Sequence, residues 1–124
     1  MIDKNITINI PGINSESGLR LSDGDMDIYL KSLRLFASSI PATLDKMRAV
    51  SADTMHEYAI SAHSVKGMCE YIGAEKARAA AKQLELLAKE GDSAGVLAGN
   101  ESFIKETQAI IGGIVDWLKK HNTL

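Results

Sequence analysis

Three histidines, His56, His63 and His121, are the side chains of this sequence with the most direct chemical use. Two of them fall in one segment that reads as a helix, from about Asp53 to Ile72. On a wheel at about 100° per residue, Tyr58, Ala62, Val65, Cys69 and Ile72 fill an arc of roughly 80°, the predicted core face. His63 lies about 130–140° from the centre of that arc and therefore points outward. Around it sit His56, Ala59, Lys66, Gly67 and Glu70. An exposed imidazole, with a reference pKa of about 6.5, is largely neutral near physiological pH and can attack phosphorus as a nucleophile. Phosphorylation would add nearly two negative charges to the ring. Lys66, one turn on, can donate a charge-assisted hydrogen bond to those oxygens, worth about 1 kcal/mol at an exposed site. Gly67 costs about 1 kcal/mol of helix propensity against Ala, and on an outer face it has no core-packing reason. Clearance for another protein's surface is the better explanation.

The same residues admit a plainer reading, because a surface histidine beside a lysine is also what a solvated face looks like. A metal site is disfavoured: His56 and His63 stand at i, i+7, roughly 10 Å apart along the helix, where i, i+4 would be needed to share one ion. Cys69 falls on the core face and reads as a small packed hydrophobe. Trp117 reads as packing, and Lys119-Lys120 as an ordinary basic last turn.

The elements that must position His63 follow from periodicity. Asn14 or Ser15 caps a short helix through Leu19 and Leu21, stopped by Ser22-Asp23-Gly24. A second helix begins near Asp25, with Met26, Tyr29, Leu33, Phe36 and Ile40 on one stripe. Pro41 predicts a break or kink near Ser39 and then a continuation carrying Leu44, Met47 and Val50. The histidine-bearing helix ends at Gly73, a left-handed cap. A fourth runs from about Ala74 to Glu90, with Ala77, Ala80 or Ala81, Leu84 and Leu87 or Ala88 inward, and Glu85 and Lys89 as an i, i+4 pair. Residues 92–99 read as a loop or short turn, after which Asn100 caps a last helix with Phe103, Thr107, Ile110, Ile114 and Leu118 on its stripe. Gly112-Gly113 inside that helix costs about 1 kcal/mol per Gly against Ala, and close helix packing is one reason for it among others that the sequence leaves open. Ile6, Ile8 and Ile10 alternate with polar residues, which predicts an extended arm over residues 1–12 lying on a domain of residues 13–124. The predicted fold is all-α, an antiparallel four-helix bundle with a short additional N-terminal helix.

Composition sets the outer bounds. The chain has 124 residues, 45% of them hydrophobic and 24% charged, enough for one ordinary core without staples. Aromatic residues at 5% and two prolines argue against an all-β sandwich. A formal net charge of −2 removes the main support for nucleic-acid binding. The single cysteine is consistent with a reducing compartment. No apolar run approaches the roughly 18–20 residues of a membrane span, and Met1 to Ile10 holds no signal-peptide core, so a cytoplasmic location is expected. There is no Gly-rich phosphate loop and no paired Cys, so an ATP site or hydrolase centre is not expected.

Taken together, His63-Ser64-Val65-Lys66-Gly67, then Ile72-Gly73-Ala74, Leu84-Glu85 and Gly91-Asp92, resemble the histidine-containing phosphotransfer (HPt) domain family. The family pattern is His-x-hydrophobic-Lys-Gly, a Gly-Ala about ten residues on, then Leu-Glu and a closing Gly-Asp. Ile10-Pro11-Gly12-Ile13, the segment Asp27 to Phe36 and the segment Phe103 to Leu118 extend the likeness to residues 10–120. The resemblance implies that His63 is the phosphorylated histidine, Lys66 balances the phosphoryl charge and Gly67 clears space for a receiver domain. Family members often steady the imidazole with a polar residue on the next helix. The matching position here is Glu85, where some relatives carry Gln, and because a carboxylate would repel a phosphoryl group it is given no such role. Lys82 and Lys89, one turn either side, are candidates for partner contact, with His56, Ala59 and Glu70 on the histidine face. The resemblance implies an intermediate of a multistep His-Asp-His-Asp relay, a carrier without kinase activity or cofactor of its own. Its partners would be receiver domains, which would hold any Mg2+, and a hybrid sensor histidine kinase, and the chain is expected to be a monomer. The competing reading is a docking adaptor in which His63 is incidental.

Overall fold

The computed structural model describes residues 7–124. Among them are five α-helices, one 3-10 turn and no strand. Helix α1 spans Ser15–Leu21, and the Asn14 side chain accepts the Ser17 N–H at its start. Helix α2 spans Met26–Lys46, capped by Asp25, whose carboxylate accepts the N–H groups of Asp27 and Ile28. A 3-10 turn at Ala52–Thr54 leads into α3, Met55–Ile72. Helix α4 spans Glu75–Lys89 and α5 spans Ser93–Lys120.

Two boundaries differ from the sequence expectation. Helix α2 runs unbroken through Pro41. The proline ring is on the exposed side, while Ile40, Leu44 and Met47 are buried, so core packing on the inner face outweighs the one hydrogen bond that proline cannot make. One turn earlier the Ser38 and Ser39 hydroxyls both donate to the Leu35 carbonyl. The last helix starts at Ser93, not Asn100. Asp92 caps it by accepting the Gly95 N–H at 2.8 Å, and Val96 is already buried. Asn100 is an internal residue, 6% exposed, that accepts the Tyr58 hydroxyl at 2.6 Å and donates to the Met47 carbonyl at 2.7 Å. A buried amide with both ends paired joins α3, α5 and the end of α2.

The predicted stripes otherwise face inward. Met26, Tyr29, Leu33, Phe36 and Ile40 of α2, Tyr58, Ala62, Val65, Cys69 and Ile72 of α3, and Phe103, Thr107, Ile110, Ile114 and Leu118 of α5 are all buried. Helix α3 packs on α2 and α4, and α5 packs on the same two helices, which closes a ring around one core. Cys69 is fully buried, and burial pushes its thiol up to about 12 although Arg78 pulls the other way. Trp117 is buried and stacks on His121 at 4.0 Å. Ile8 and Ile10 are buried against the same core, without strand pairing among the described residues, and Ile6 lies outside them. Gly113 faces this N-terminal segment, where a Cβ would stand 3.2 Å from Ile10 Cγ2, while Gly112 faces open space. Gly113 therefore makes room for the arm, and neither glycine makes room for another helix.

The part of the fold that matters for His63 is the α3–α4 pair. Gly73 ends α3 at φ 82°, a left-handed conformation that favours glycine, and the Ala74 N–H returns to the Cys69 carbonyl at 2.9 Å. The chain reverses there within two residues, so α4 lies along α3 and sets its side chains beside the histidine face. Among the described residues, no helix is long and apolar enough to cross a membrane.

Candidate functional site

His63 stands mid-way along α3 with its side chain 66% exposed. Its ring is held from α4. Nδ1 lies 2.9 Å from Glu85 Oε2. The same carboxylate accepts Lys66 Nζ on Oε1 at 2.7 Å and Lys89 Nζ on Oε2 at 3.1 Å. Glu85 is only 2% exposed, yet three donors meet its two oxygens. Burial acts to raise its pKa. The hydrogen bonds from Lys66, Lys89 and His63, with the Lys66 charge, outweigh burial and bring it down to about 2. The carboxylate is therefore ionised and can only accept. In the neutral ring the proton between Glu85 and His63 then sits on Nδ1, which leaves the lone pair on Nε2. The arrangement is an exposed nucleophilic nitrogen with a fixed tautomer, backed by two ammonium groups.

Of the residues singled out in the sequence, His56, Ala59, His63 and Lys89 line one shallow recess, together with Ile60 and Glu85. Lys66 joins them through Glu85. Gly67 faces open space: a Cβ there would meet no atom within 4 Å. Ala59 corrects the wheel, because it is 7% exposed and buried where an outer position was expected. It lies on the side of His63 that turns toward α4, and the close α3–α4 packing covers it. Glu70 and Lys82 are exposed and do not line the recess.

Sequence reasoning left out three residues. Glu85 carries a charge that opposes that of a phosphoryl group, which argues against it in the sequence. The signal was nevertheless present: Ala77, Ala81, Glu85 and Ala88 follow i, i+4, i+8 and i+11, so Glu85 falls on the apolar arc of α4 and needs buried partners. Ile60, 59% exposed, lines the recess with His63, and Tyr71, 57% exposed, stands two turns further along α3 in a separate recess with Ser32, Leu35 and Met68. They stand off the core stripe and carried no pattern of their own.

The family model of the Hpt domain matches residues 31–118, a span that holds His63, Lys66, Gly67, Glu85 and Lys89. The chain belongs to the Hpt domain family. Comparison with curated proteins and with solved structures gives no match. Hpt domains are phosphocarriers that serve histidine phosphotransfer in phosphorelays, and they generally interact with receiver domains of two-component systems. The matched span begins inside α2 and ends near the end of α5.

Proposed function

We propose that this Hpt domain carries a phosphoryl group on His63 Nε2, taking it from an aspartyl phosphate on one receiver domain and passing it to another. The observation that carries the reading is the Glu85–Nδ1 hydrogen bond on an otherwise exposed ring. It leaves the lone pair on the nitrogen that a partner can reach. In the forward step that lone pair attacks phosphorus, the P–O bond to the aspartate breaks, and the carboxylate departs with the electron pair. Lys66 and Lys89 are close enough to the ring, through Glu85, to turn their ammonium groups to the arriving phosphoryl oxygens. Mg2+ belongs to the receiver in this scheme, and no ATP-dependent step is assigned to this chain.

The receiver docks over Gly67, where the surface is open, with Ile60 and Tyr71 as apolar contacts and His56, Glu70, Lys82 and Lys89 around them. Architecture and setting follow the same reading. Helices α2 to α5 form an antiparallel four-helix bundle with α1 as a short addition, residues 7–12 are the described part of an arm lying on a domain of residues 13–124, and the molecule acts as a cytoplasmic monomer. The relay is of the His-Asp-His-Asp type and is fed by a hybrid sensor histidine kinase.

The test is incubation with a phosphorylated receiver domain, scored for acid-labile, base-stable phosphate on this chain. Labelling that disappears in a folded His63→Gln variant is the expected result. Labelling retained in that variant moves the site to another histidine. Receiver binding without any labelling supports a docking adaptor in which His63 is incidental.

A further inference from the structure

We infer that Glu85 keeps the Nδ1 proton on the ring after His63 is phosphorylated, so that the carrier holds its phosphoryl group as an N-phosphoimidazolium and releases it without needing a proton. The inference rests on the carrier reading above and adds the state in which the group is carried.

Nδ1 and Glu85 Oε2 are 2.9 Å apart. Without a proton between them, two lone pairs would face each other at hydrogen-bond distance, one of them on a carboxylate whose side chain is 3% exposed and whose oxygens are held in place by Lys66 and Lys89. Phosphorylation occurs at Nε2, on the far side of the ring, and leaves this contact unchanged. The titratable and charged groups around the ring are Glu85 and Lys89 from α4 and His56 and Lys66 from α3, with Glu70 two turns further along α3. If Lys66 and Lys89 turn from Glu85 toward the phosphoryl oxygens, Glu85 loses two cations and depends more on the imidazolium. Either position of the lysines favours the proton between Nδ1 and Oε2.

The consequence concerns transfer. Attack by Nε2 of the Nδ1–H tautomer produces a cationic ring directly, with no proton taken up or lost. In the release step an aspartate oxygen attacks phosphorus, the P–N bond breaks and its electron pair returns to Nε2. The leaving group is neutral imidazole, still protonated at Nδ1. Were the Nδ1 proton lost from the phosphorylated ring, the leaving group would be an imidazolate, a far poorer one, until a proton returned. Glu85 contacts Nδ1, on the opposite side of the ring from the nitrogen that carries the phosphoryl group, and acts as a positioning residue.

The experiment uses the full chain with 15N-labelled histidine and phosphoramidate as donor, which needs neither a receiver nor a metal. At about pH 8, where an unassisted ring would be deprotonated, the nitrogen shifts of phosphorylated His63 report whether Nδ1 bears a proton. A proton on Nδ1 is expected. Glu85→Gln offers an amide N–H that can pair with a bare Nδ1. In that variant the phosphohistidine should hydrolyse about tenfold more slowly, the scale of one charged hydrogen bond. The difference should vanish near about pH 5.5, where solvent protonates the ring in both proteins. A bare Nδ1 in the phosphorylated wild type overturns the inference while leaving His63 as the carrier, and so do equal lifetimes at the higher pH. Failure of phosphoramidate to label His63 at all removes the carrier reading itself. The wild-type nitrogen shifts decide the matter even if Glu85→Gln does not fold.

Discussion

Replacing Gly67 with Gln separates the chemistry of His63 from access to it. Gly67 lies within α3 in ordinary helical geometry, and a Cβ there would meet nothing within 4 Å. The substitution therefore meets no steric resistance inside the molecule and gains helix propensity, roughly 0.5–0.8 kcal/mol for Gln over Gly. With an unfolding entropy of about 2 cal/mol/K per residue, that gain raises the thermal midpoint of a chain this long by about 2–3 °C. The new side chain stands one turn from His63 on the same outward face, in the space a receiver needs. Transfer from a phosphorylated receiver should fall by about two orders of magnitude, the scale on which a reactant held out of position slows a reaction. Phosphoramidate is small enough to reach Nε2 past the new side chain, so direct chemical labelling should continue. The assay measures three things on one variant: thermal midpoint, receiver-dependent labelling and phosphoramidate labelling. Undiminished transfer from the receiver would mean that the partner approaches from elsewhere. A lowered midpoint would mean that position 67 is packed against something. Either result refutes the orientation on which the docking face depends.

Two further outcomes follow from the Glu85 cluster. Lys66→Ala removes a 2.7 Å bond to Glu85 and the ammonium group nearest the ring's own helix turn. Stopped-flow or gel assays at low salt should find slower phosphoryl transfer into His63 with receiver binding largely kept, and identical rates would take Lys66 out of the mechanism. Glu85 itself carries an acid dependence. Its carboxyl is held at about 2 in the folded protein against a usual 4.5, so the stabilisation is fully present above pH 4.5 and is lost as pH falls toward about 2. The amount at stake is roughly 3 kcal/mol. Thermal midpoints taken across that acid window should drop more steeply for wild type than for Glu85→Gln, and parallel curves would contradict the low carboxyl pKa.

The sequence by itself determined most of the helices and the outward face on which His63 stands. Periodic stripes such as Met26, Tyr29, Leu33, Phe36 and Ile40 state which face is buried, because burial of an apolar arc at helical spacing is a local property of the chain. Gly73 and Gly91, both at positive φ, mark helix ends for an equally local reason. The outward placement of His63, the open space at Gly67 and the Hpt family itself were legible from one helix and four short motifs. Local rules failed where packing outweighed them. Pro41 does not end α2, because Ile40, Leu44 and Met47 hold the helix from its other side. Asn100 does not cap α5, because its amide is used in the core between Tyr58 and Met47.

The site depended most on tertiary structure. From the sequence, Glu85 is a carboxylate in an i, i+4 pair with Lys89, and its charge argues against a place beside a phosphoryl acceptor. Only the alignment of α4 along α3 puts it under His63, where Lys66 comes from three residues beyond the histidine and Lys89 from four residues beyond Glu85. The effect of a charge depends on what surrounds it. Alone near the surface, Glu85 would oppose an incoming phosphoryl group. Buried, neutralised by two ammonium groups and bonded to Nδ1, it fixes the tautomer of the ring. Helix periodicity reveals the face to which a residue belongs, but the partner across that face is set by the register of two helices nineteen to twenty-two residues apart in the chain, which no local pattern encodes.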